Sequence, residues 1–186
     1  MRGMAGVISD KDKGIAALVL GTPMRVVAGV ATSEFLERTA LTQAIKDVRI
    51  GLPSDAKKSG NVALAWIDVP GLPSQIAASS KVDEAGRGVI GNGSANFSAM
   101  ELPLKSGELV KRNTDSEYKI LDNIADMLGN NASLRGSVKI VTERPACDSC
   151  LNVVDQFQAK YPNIEVKVFD NNGVMLLPKK TRVGGG

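Results

Sequence analysis

The last third of the sequence contains the pattern that most restricts the fold. Ser137 to Glu143, "SVKIVTE", and Asn163 to Asp170, "NIEVKVFD", have the apolar and alternating character of strands. Thr114 to Gly129 has apolar residues at helical spacing, and Pro145 to Pro162 has proline inside its start and after its end, as helices do. The order helix, strand, helix, strand with short connections predicts a parallel strand pair with helices packed on the sheet, and therefore an α/β fold.

The first part of the chain has a different character. Ser33 to Val48, "SEFLERTALTQAIKDV", predicts a helix, and the glycine, proline and serine of residues 51–60 are typical of a linker. We therefore expect an N-terminal helical accessory segment over residues 1–58 and a main domain over residues 59–180. With 186 residues, 43% of them hydrophobic, the chain is long enough for one domain with a substantial core.

The main domain is expected to begin with a buried strand from Val62 to Val69, followed by a second strand or loop. Residues 83–100 are rich in glycine and predict a long surface loop. The string Gly86-x-Gly88-x-x-Gly91 matches a dinucleotide fingerprint, but no strand pattern precedes it and no helix pattern follows. The sequence therefore argues against a dinucleotide cofactor.

Charge and hydropathy restrict the partners. No run approaches 18 apolar residues, and acidic residues interrupt the apolar start too early for a signal peptide, so we expect no contact with a membrane. The net charge of +3 is compatible with an anionic partner such as nucleic acid, without requiring one.

The chain has two cysteines and no histidine. Cys147 and Cys150 lie in the first turn of a predicted helix directly after a strand, where the helix dipole favours thiolates. Since zinc takes at least three protein ligands, a third ligand would have to be a carboxylate. Asp115 and Glu117 at the start of the preceding helix are expected at the same edge of the sheet.

Two other interpretations of these motifs remain open. Thr114-x-x-Glu117 is also a capping box, which would give the glutamate a purely structural role. Cys147-x-x-Cys150 is also a redox motif, although only 36 residues follow it, too few for a thioredoxin-like fold.

An acidic ligand two positions before a glutamate, followed by Pro-x-Cys-x-x-Cys, resembles the cytidine deaminase superfamily. Residues 60–170 resemble more closely the toxin deaminases at the C-terminal ends of bacterial polymorphic toxins. The resemblance implies a three-layer α/β/α sandwich with a mixed sheet of about five strands. It also implies zinc-dependent deamination of cytosine to uracil in nucleic acid, with DNA favoured over RNA.

Carried over to this sequence, the resemblance makes Asp115, Cys147 and Cys150 the ligands of Zn²⁺ and Glu117 the general acid/base. Two departures are visible: the wider superfamily uses histidine or cysteine where Asp115 stands, and Ala146 separates the proline from Cys147. The resemblance further implies a monomeric effector that is secreted or delivered into the cytoplasm of a target cell and countered by a cognate immunity protein.

Four residues are predicted to bind substrate. Ser79 lies where similar toxins often have histidine, and Phe97 in the glycine-rich loop is placed to stack on a base. Arg112 and Arg144 flank the predicted pocket in sequence and are expected to hold phosphates, unless they are ordinary solvated charges. The alternatives from other classes are a catalytically idle, zinc-stabilised binding module and a thiol oxidoreductase that uses the cysteine pair.

Overall fold

The structure, a computed structural model, describes residues 39–144 and 148–176. It has four helices and seven strands in the described residues: α1 (39–51), α2 (Ser54–Lys58), β1 (Val62–Asp68), β2 (Gln75–Ser79), β3 (Glu101–Pro103), β4 (Leu109–Lys111), α3 (Ser116–Leu128), β5 (Gly136–Thr142), α4 (Asp148–Lys160), β6 (Ile164–Asp170) and β7 (Met175–Leu176).

Five strands form a mixed sheet in the order β2-β1-β5-β6-β7. Strand β1 is antiparallel to both of its neighbours, and β5 is parallel to β6, the strand that follows it through α4. The predicted α/β fold with a mixed sheet of about five strands and a parallel pair late in the chain is therefore confirmed.

Strand β1 lies in the centre of the sheet and is covered on both faces. Its first four residues are all buried, as expected for a nearly continuous apolar run in a central strand. Ala63, Ala65 and Ile67 face a cluster that includes apolar residues of α3 and α4, whereas Val62 and Leu64 face a smaller cluster. The smaller cluster contains residues of α1 and α2, so helices cover the sheet on both sides in three layers.

The predicted helix after Thr114 is confirmed with slightly different ends, since α3 runs from Ser116 to Leu128. Gly129 ends it with φ of 57°, a conformation that glycine adopts without steric penalty, and its N–H donates to the carbonyl of Ala125. Of the helix predicted over residues 145–162, the described part is α4, and residues 145–147 lie outside the described residues.

Between β2 and residue 100 the glycine-rich segment forms no helix and no strand beyond isolated bridges, as expected for a loop. Two carboxylates of α3 hold it. Asp122, 1% exposed, accepts the backbone N–H groups of Ala95 at 2.9 Å and Asn96 at 2.6 Å, and Asp126 accepts that of Ser94 at 3.0 Å. Phe97 is thereby seated in the main core.

Strands β3 and β4 form a hairpin that has its own two-stranded sheet and was not predicted from the sequence. Its apolar residues Leu104 and Leu109 are exposed. In residues 39–144 and 148–176, no helix is both long and apolar enough to cross a membrane.

The N-terminal 38 residues, including the first part of the helix predicted from Ser33, lie outside the described residues. Ile45 of α1, together with Leu52 and Ala56, packs in the same cluster as Val62 and Leu64 of β1. The division of the chain at residue 58 into an accessory segment and a main domain stays a prediction.

Candidate active site

The candidate active site lies at one edge of the sheet, where several chain ends meet. Ala63 at the start of β1 pairs with Thr142 at the end of β5, because these strands are antiparallel. Helix α3 leads into β5 and α4 leaves it, so both helices begin near the carboxyl end of this strand. The fold therefore brings together side chains from positions that are far apart in sequence.

A cleft of about 630 Å³ opens at this edge. Its lining comes from the end of α2 and the segment that follows it, the segments after β2 and β4, the start of α3, the end of β5, and α4. The lining residues include Lys58, Asn61, Lys81, Arg112, Asp115, Ser116, Glu117, Arg144 and Cys150. A volume of this size accommodates a nucleoside-sized ligand.

Glu117 is the acidic side chain most deeply buried in the cleft, with 2% exposure. Its Oε1 accepts a hydrogen bond from Asn61 Nδ2 at 3.1 Å, and its Oε2 accepts one from Ser116 Oγ at 3.0 Å. The thiol of Cys150 also donates to Oε2, over 3.4 Å. The carboxylate is therefore held in one orientation by side chains from β1's start, α3 and α4.

Asn61, which was not predicted from the sequence as a site residue, connects these elements. Its Nδ2 donates to Ser116 Oγ at 2.8 Å and to Thr142 Oγ1 at 2.6 Å, in addition to Glu117. Its Oδ1 accepts the backbone N–H of Arg144 at 3.1 Å. Nothing in the local sequence marks an asparagine before an apolar strand as functional, since its role depends on the pairing of β1 with β5.

Asp115 is the N-cap residue of α3, but its side chain makes no capping hydrogen bond. Instead, its Oδ2 lies 3.6 Å from the Sγ of Cys150, a buried residue of α4. The capping-box interpretation of Thr114 and Glu117 is wrong, because the helix begins at Ser116 and the Glu117 carboxylate is engaged by Asn61, Ser116 and Cys150.

The separation of Asp115 and Cys150 fits two ligands of one zinc ion. A thiolate at about 2.3 Å and a carboxylate oxygen at about 2.1 Å from zinc, at a tetrahedral angle, lie about 3.6 Å apart. Cys147, the other predicted ligand, lies outside the described residues. Within the described residues no group of three or more histidine, cysteine, aspartate or glutamate side chains has an arrangement that holds a metal.

The four predicted substrate contacts divide into two pairs. Arg112 and Arg144 line the cleft. Ser79 is completely buried at the end of β2, and the cleft is lined by the next residues, Ser80 and Lys81. Phe97 lies in the main core, 6% exposed, with its ring 5.9 Å from that of Phe157, so the structure places it away from the cleft.

Two cations that do not line the cleft, Lys119 and Arg49, fix the segments that do. Lys119 of α3, fully buried, donates to the carbonyls of Ser79 at 3.1 Å and Val82 at 2.8 Å and to Asp83 Oδ1 at 2.9 Å. This hydrogen bond holds the pKa of Asp83 below its usual value. All three ammonium protons are used, so Lys119 fixes the segment that carries Lys81.

Arg49 of α1 holds the neighbouring segment, whose residue Asn61 donates its backbone N–H to Ser80 Oγ at 2.8 Å. Its guanidinium forms a bidentate ion pair with Glu143, including Nε to Oε1 at 2.6 Å, and this pair raises the pKa of Arg49. Its remaining N–H groups donate to four carbonyl groups, those of Ala56, Lys57, Ser59 and Gly60. Arg49 thereby fixes the segment directly before Asn61.

A mixed sheet with a buried glutamate at one helix start, in contact with a cysteine at the next, is consistent with the deaminase class of α/β proteins. A family model described as "Toxin-deaminase: The BURPS668_1122 family of deaminases" matches residues 45–172, more than half of the chain, and the chain belongs to this family. No curated protein matches the chain significantly. Family membership implies a hydrolytic deaminase of the bacterial toxin type.

Proposed function

We propose that the protein is a zinc-dependent deaminase that converts cytosine to uracil in nucleic acid, DNA in preference to RNA. The observation that carries this proposal is the contact of Cys150 Sγ with both Asp115 Oδ2 and Glu117 Oε2 at the bottom of an open cleft. Two residues suited to bind a metal, Asp115 and Cys150, and one suited to carry a proton, Glu117, thus lie in contact at the starts of two helices.

In this proposal Asp115 and Cys150 hold Zn²⁺ together with Cys147. The metal, when bound, supplies Lewis acidity that allows water to lose a proton near neutral pH. In this proposal Glu117 is not a ligand; Asn61 and Ser116 hold its carboxylate in the orientation for proton transfer.

Glu117 acts as the proton carrier. It takes one proton from the attacking water and delivers it to the ring nitrogen, while the oxygen bonds to the amine-bearing carbon. The carbon–nitrogen bond to the amino group then breaks, and the amino group leaves as ammonia with the remaining proton of the water. Burial of Glu117 limits competing contact with solvent, and Asn61 keeps the carboxylate oriented for both transfers.

The test is deamination by purified protein of single-stranded DNA, double-stranded DNA and RNA, read by sequencing as C-to-T changes. We expect conversion by the wild type and by Glu165→Gln, a control that removes an exposed carboxylate from β6. Glu117→Gln is expected to lower the rate by about 10² to 10⁴, the contribution of a positioned acid/base group. Unchanged conversion by Glu117→Gln would contradict the assigned role.

The zinc assignment has its own measurement, the metal content of protein purified without added metal. About one zinc per chain is expected for the wild type and for Glu117→Gln, whereas Cys150→Ser is expected to lose most of it because a thiolate ligand is removed. A wild-type protein that contains no zinc and gains no activity with added zinc would rule the metal out.

The biological role in this proposal is that of a delivered bacterial effector. It would act as a monomer in the cytoplasm of the target cell and be neutralised by a cognate immunity protein. Expression in a bacterial cytoplasm is expected to inhibit growth for the wild type and not for Glu117→Gln. Toxicity that persists in Glu117→Gln would favour an idle binding module or another activity.

A further inference from the structure

The cations of the chain fall into two groups according to what their side chains contact. Arg49 and Lys119 are saturated by protein acceptors and serve the fold. Four other cations, Lys58, Lys81, Arg112 and Arg144, line the cleft. Within residues 39–144 and 148–176, the side chains of these four form no hydrogen bond and no ion pair.

Arg112 gives the most direct sign that a partner is missing. It follows β4 at the base of the β3–β4 hairpin and is half-buried. Its Nε is the one buried side-chain nitrogen or oxygen in the described residues that lacks a hydrogen-bond partner. Because a buried N–H without an acceptor is destabilising, an anion that engages this guanidinium would remove that penalty.

Charges of opposite sign occupy different depths of the cleft. The acidic side chains are Glu117, which is buried, and Asp115, which is half-buried, whereas Lys58, Lys81 and Arg144 are exposed. An anionic group is therefore repelled from the bottom and attracted to the rim. A ligand that fits this distribution places an uncharged ring at the bottom and phosphates at the rim.

The number and origin of the cations identify the ligand further. They come from four places in the sequence: Lys58 at the end of α2, Lys81 after β2, Arg112 after β4 and Arg144 after β5. One phosphate group accepts from one or two such side chains, so four cations on different segments match a ligand with several phosphates. We propose that Lys58, Lys81, Arg112 and Arg144 bind the phosphodiester groups on both sides of the target nucleotide in a single strand. This inference rests on the proposed function and specifies its substrate as a strand rather than a free nucleotide.

The test measures binding separately from catalysis. Fluorescence anisotropy of a labelled single-stranded DNA oligonucleotide, titrated with Glu117→Gln protein at several salt concentrations, gives the slope of log affinity against log salt. Arg112→Gln and Arg144→Gln are placed in this background. The matched control is Arg135→Gln, which removes an exposed arginine next to the opposite end of β5.

Arg112→Gln and Arg144→Gln are each expected to weaken binding and to reduce the salt slope by about 0.7, the value for one phosphate contact in a single strand. Arg135→Gln is expected to leave both unchanged. A mononucleotide is expected to compete at least tenfold more weakly than an unlabelled oligonucleotide. Equal effects of Arg112→Gln and Arg135→Gln would overturn the site, and equal competition by the mononucleotide would overturn the strand.

The outcome is independent of the proposed chemistry. If binding depends on Arg112 and Arg144 but the wild type does not deaminate, the proposed function is contradicted and the phosphate site is supported. If the wild type deaminates but neither Arg112→Gln nor Arg144→Gln weakens binding, the proposed function is supported and the phosphate site is contradicted.

Discussion

At the scale of single residues, the site is decided by hydrogen bonds between side chains that are distant in sequence. Asn61 and Thr142 are 2.6 Å apart although 81 positions separate them along the chain. Asn61 is half-buried and uses both ends of its amide, so no smaller side chain replaces its contacts.

Asn61→Ala is therefore expected to lower both stability and activity. Loss of its hydrogen bonds costs about 2 kcal/mol, which corresponds to a fall of about 4–8 °C in Tm for a chain of this size. Thermal unfolding followed by circular dichroism measures this. The control Asn172→Ala removes an exposed side chain in the turn after β6 and is expected to shift Tm by less than about 1 °C; equal shifts for both would contradict the role of Asn61.

Asp83 supplies a pH-dependent prediction. Its folded pKa lies below the unfolded value because Lys119 hydrogen-bonds to it, so the stabilisation is present above the unfolded pKa and is lost as pH falls through the folded pKa. Since the Asp83 side chain is 63% exposed, Asp83→Asn is expected to lower Tm by only about 1–3 °C at pH 7. The difference from wild type should shrink as the pH falls below the usual pKa of an aspartate, about 3.9. A difference that grows as pH falls would contradict this assignment.

At the scale of elements, the glycine-rich loop is ordered by its contacts with α3. A Cβ at Gly93 would lie 2.5 Å from Asp122 Oδ2 and 2.8 Å from its Cγ, so only glycine allows the loop to approach the helix this closely. Tyr118 OH donates to the carbonyl of Phe97 at 2.6 Å, and burial raises the pKa of this tyrosine. The loop therefore belongs to the core at Phe97 rather than to the substrate surface.

Gly93→Ala is expected to destabilise the protein by about 1–3 kcal/mol, because either the loop or the Asp122 side chain has to move. The matched control is Gly86→Ala, since a Cβ at Gly86 meets nothing within 4 Å and its φ is not in the left-handed region. Urea unfolding of the two variants provides the comparison. A Gly93→Ala protein as stable as Gly86→Ala would show that the loop is not held at this position.

At the scale of the whole molecule, the ion pair between Arg49 and Glu143 joins parts that are 94 positions apart. It connects α1 to the end of β5, and Glu143 also accepts the backbone N–H of Val62 at the start of β1. The segment before Asn61 and the end of β5, which both line the cleft, thus depend on one partly buried contact, with side-chain exposures of 22% and 19%.

Arg49→Met is expected to lower the free energy of unfolding by about 2–4 kcal/mol, because it leaves Glu143 and several carbonyls without their donor. Lys167→Met removes one partner of the exposed pair with Glu165, which measures 3.0 Å, and is expected to cost less than about 1 kcal/mol. Chemical unfolding of both variants tests the contrast, and equal losses would show that Arg49 is an ordinary surface charge.

Local patterns in the amino-acid sequence predicted the main helices and strands and the order in which they follow each other, although not the β3–β4 hairpin. Apolar periodicity, Gly129 and the short connections predicted α3, β5, α4 and β6 with ends that differ by only a few residues, because these signals are local. The sequence also placed Asp115, Glu117 and Cys150 at two helix starts on one edge of the sheet, since connection rules follow from the order of elements.

Which other side chains reach that edge depends on contacts between elements that are distant in sequence. Antiparallel pairing of β1 with β5 places Asn61 beside Glu117, and the β3–β4 hairpin places Arg112 in the cleft lining. The hydrogen bonds of Asp122 to the glycine-rich loop hold Phe97 in the core, away from the cleft. These outcomes depend on strand order and on contacts between distant residues, which leave no periodic signal in a single sequence.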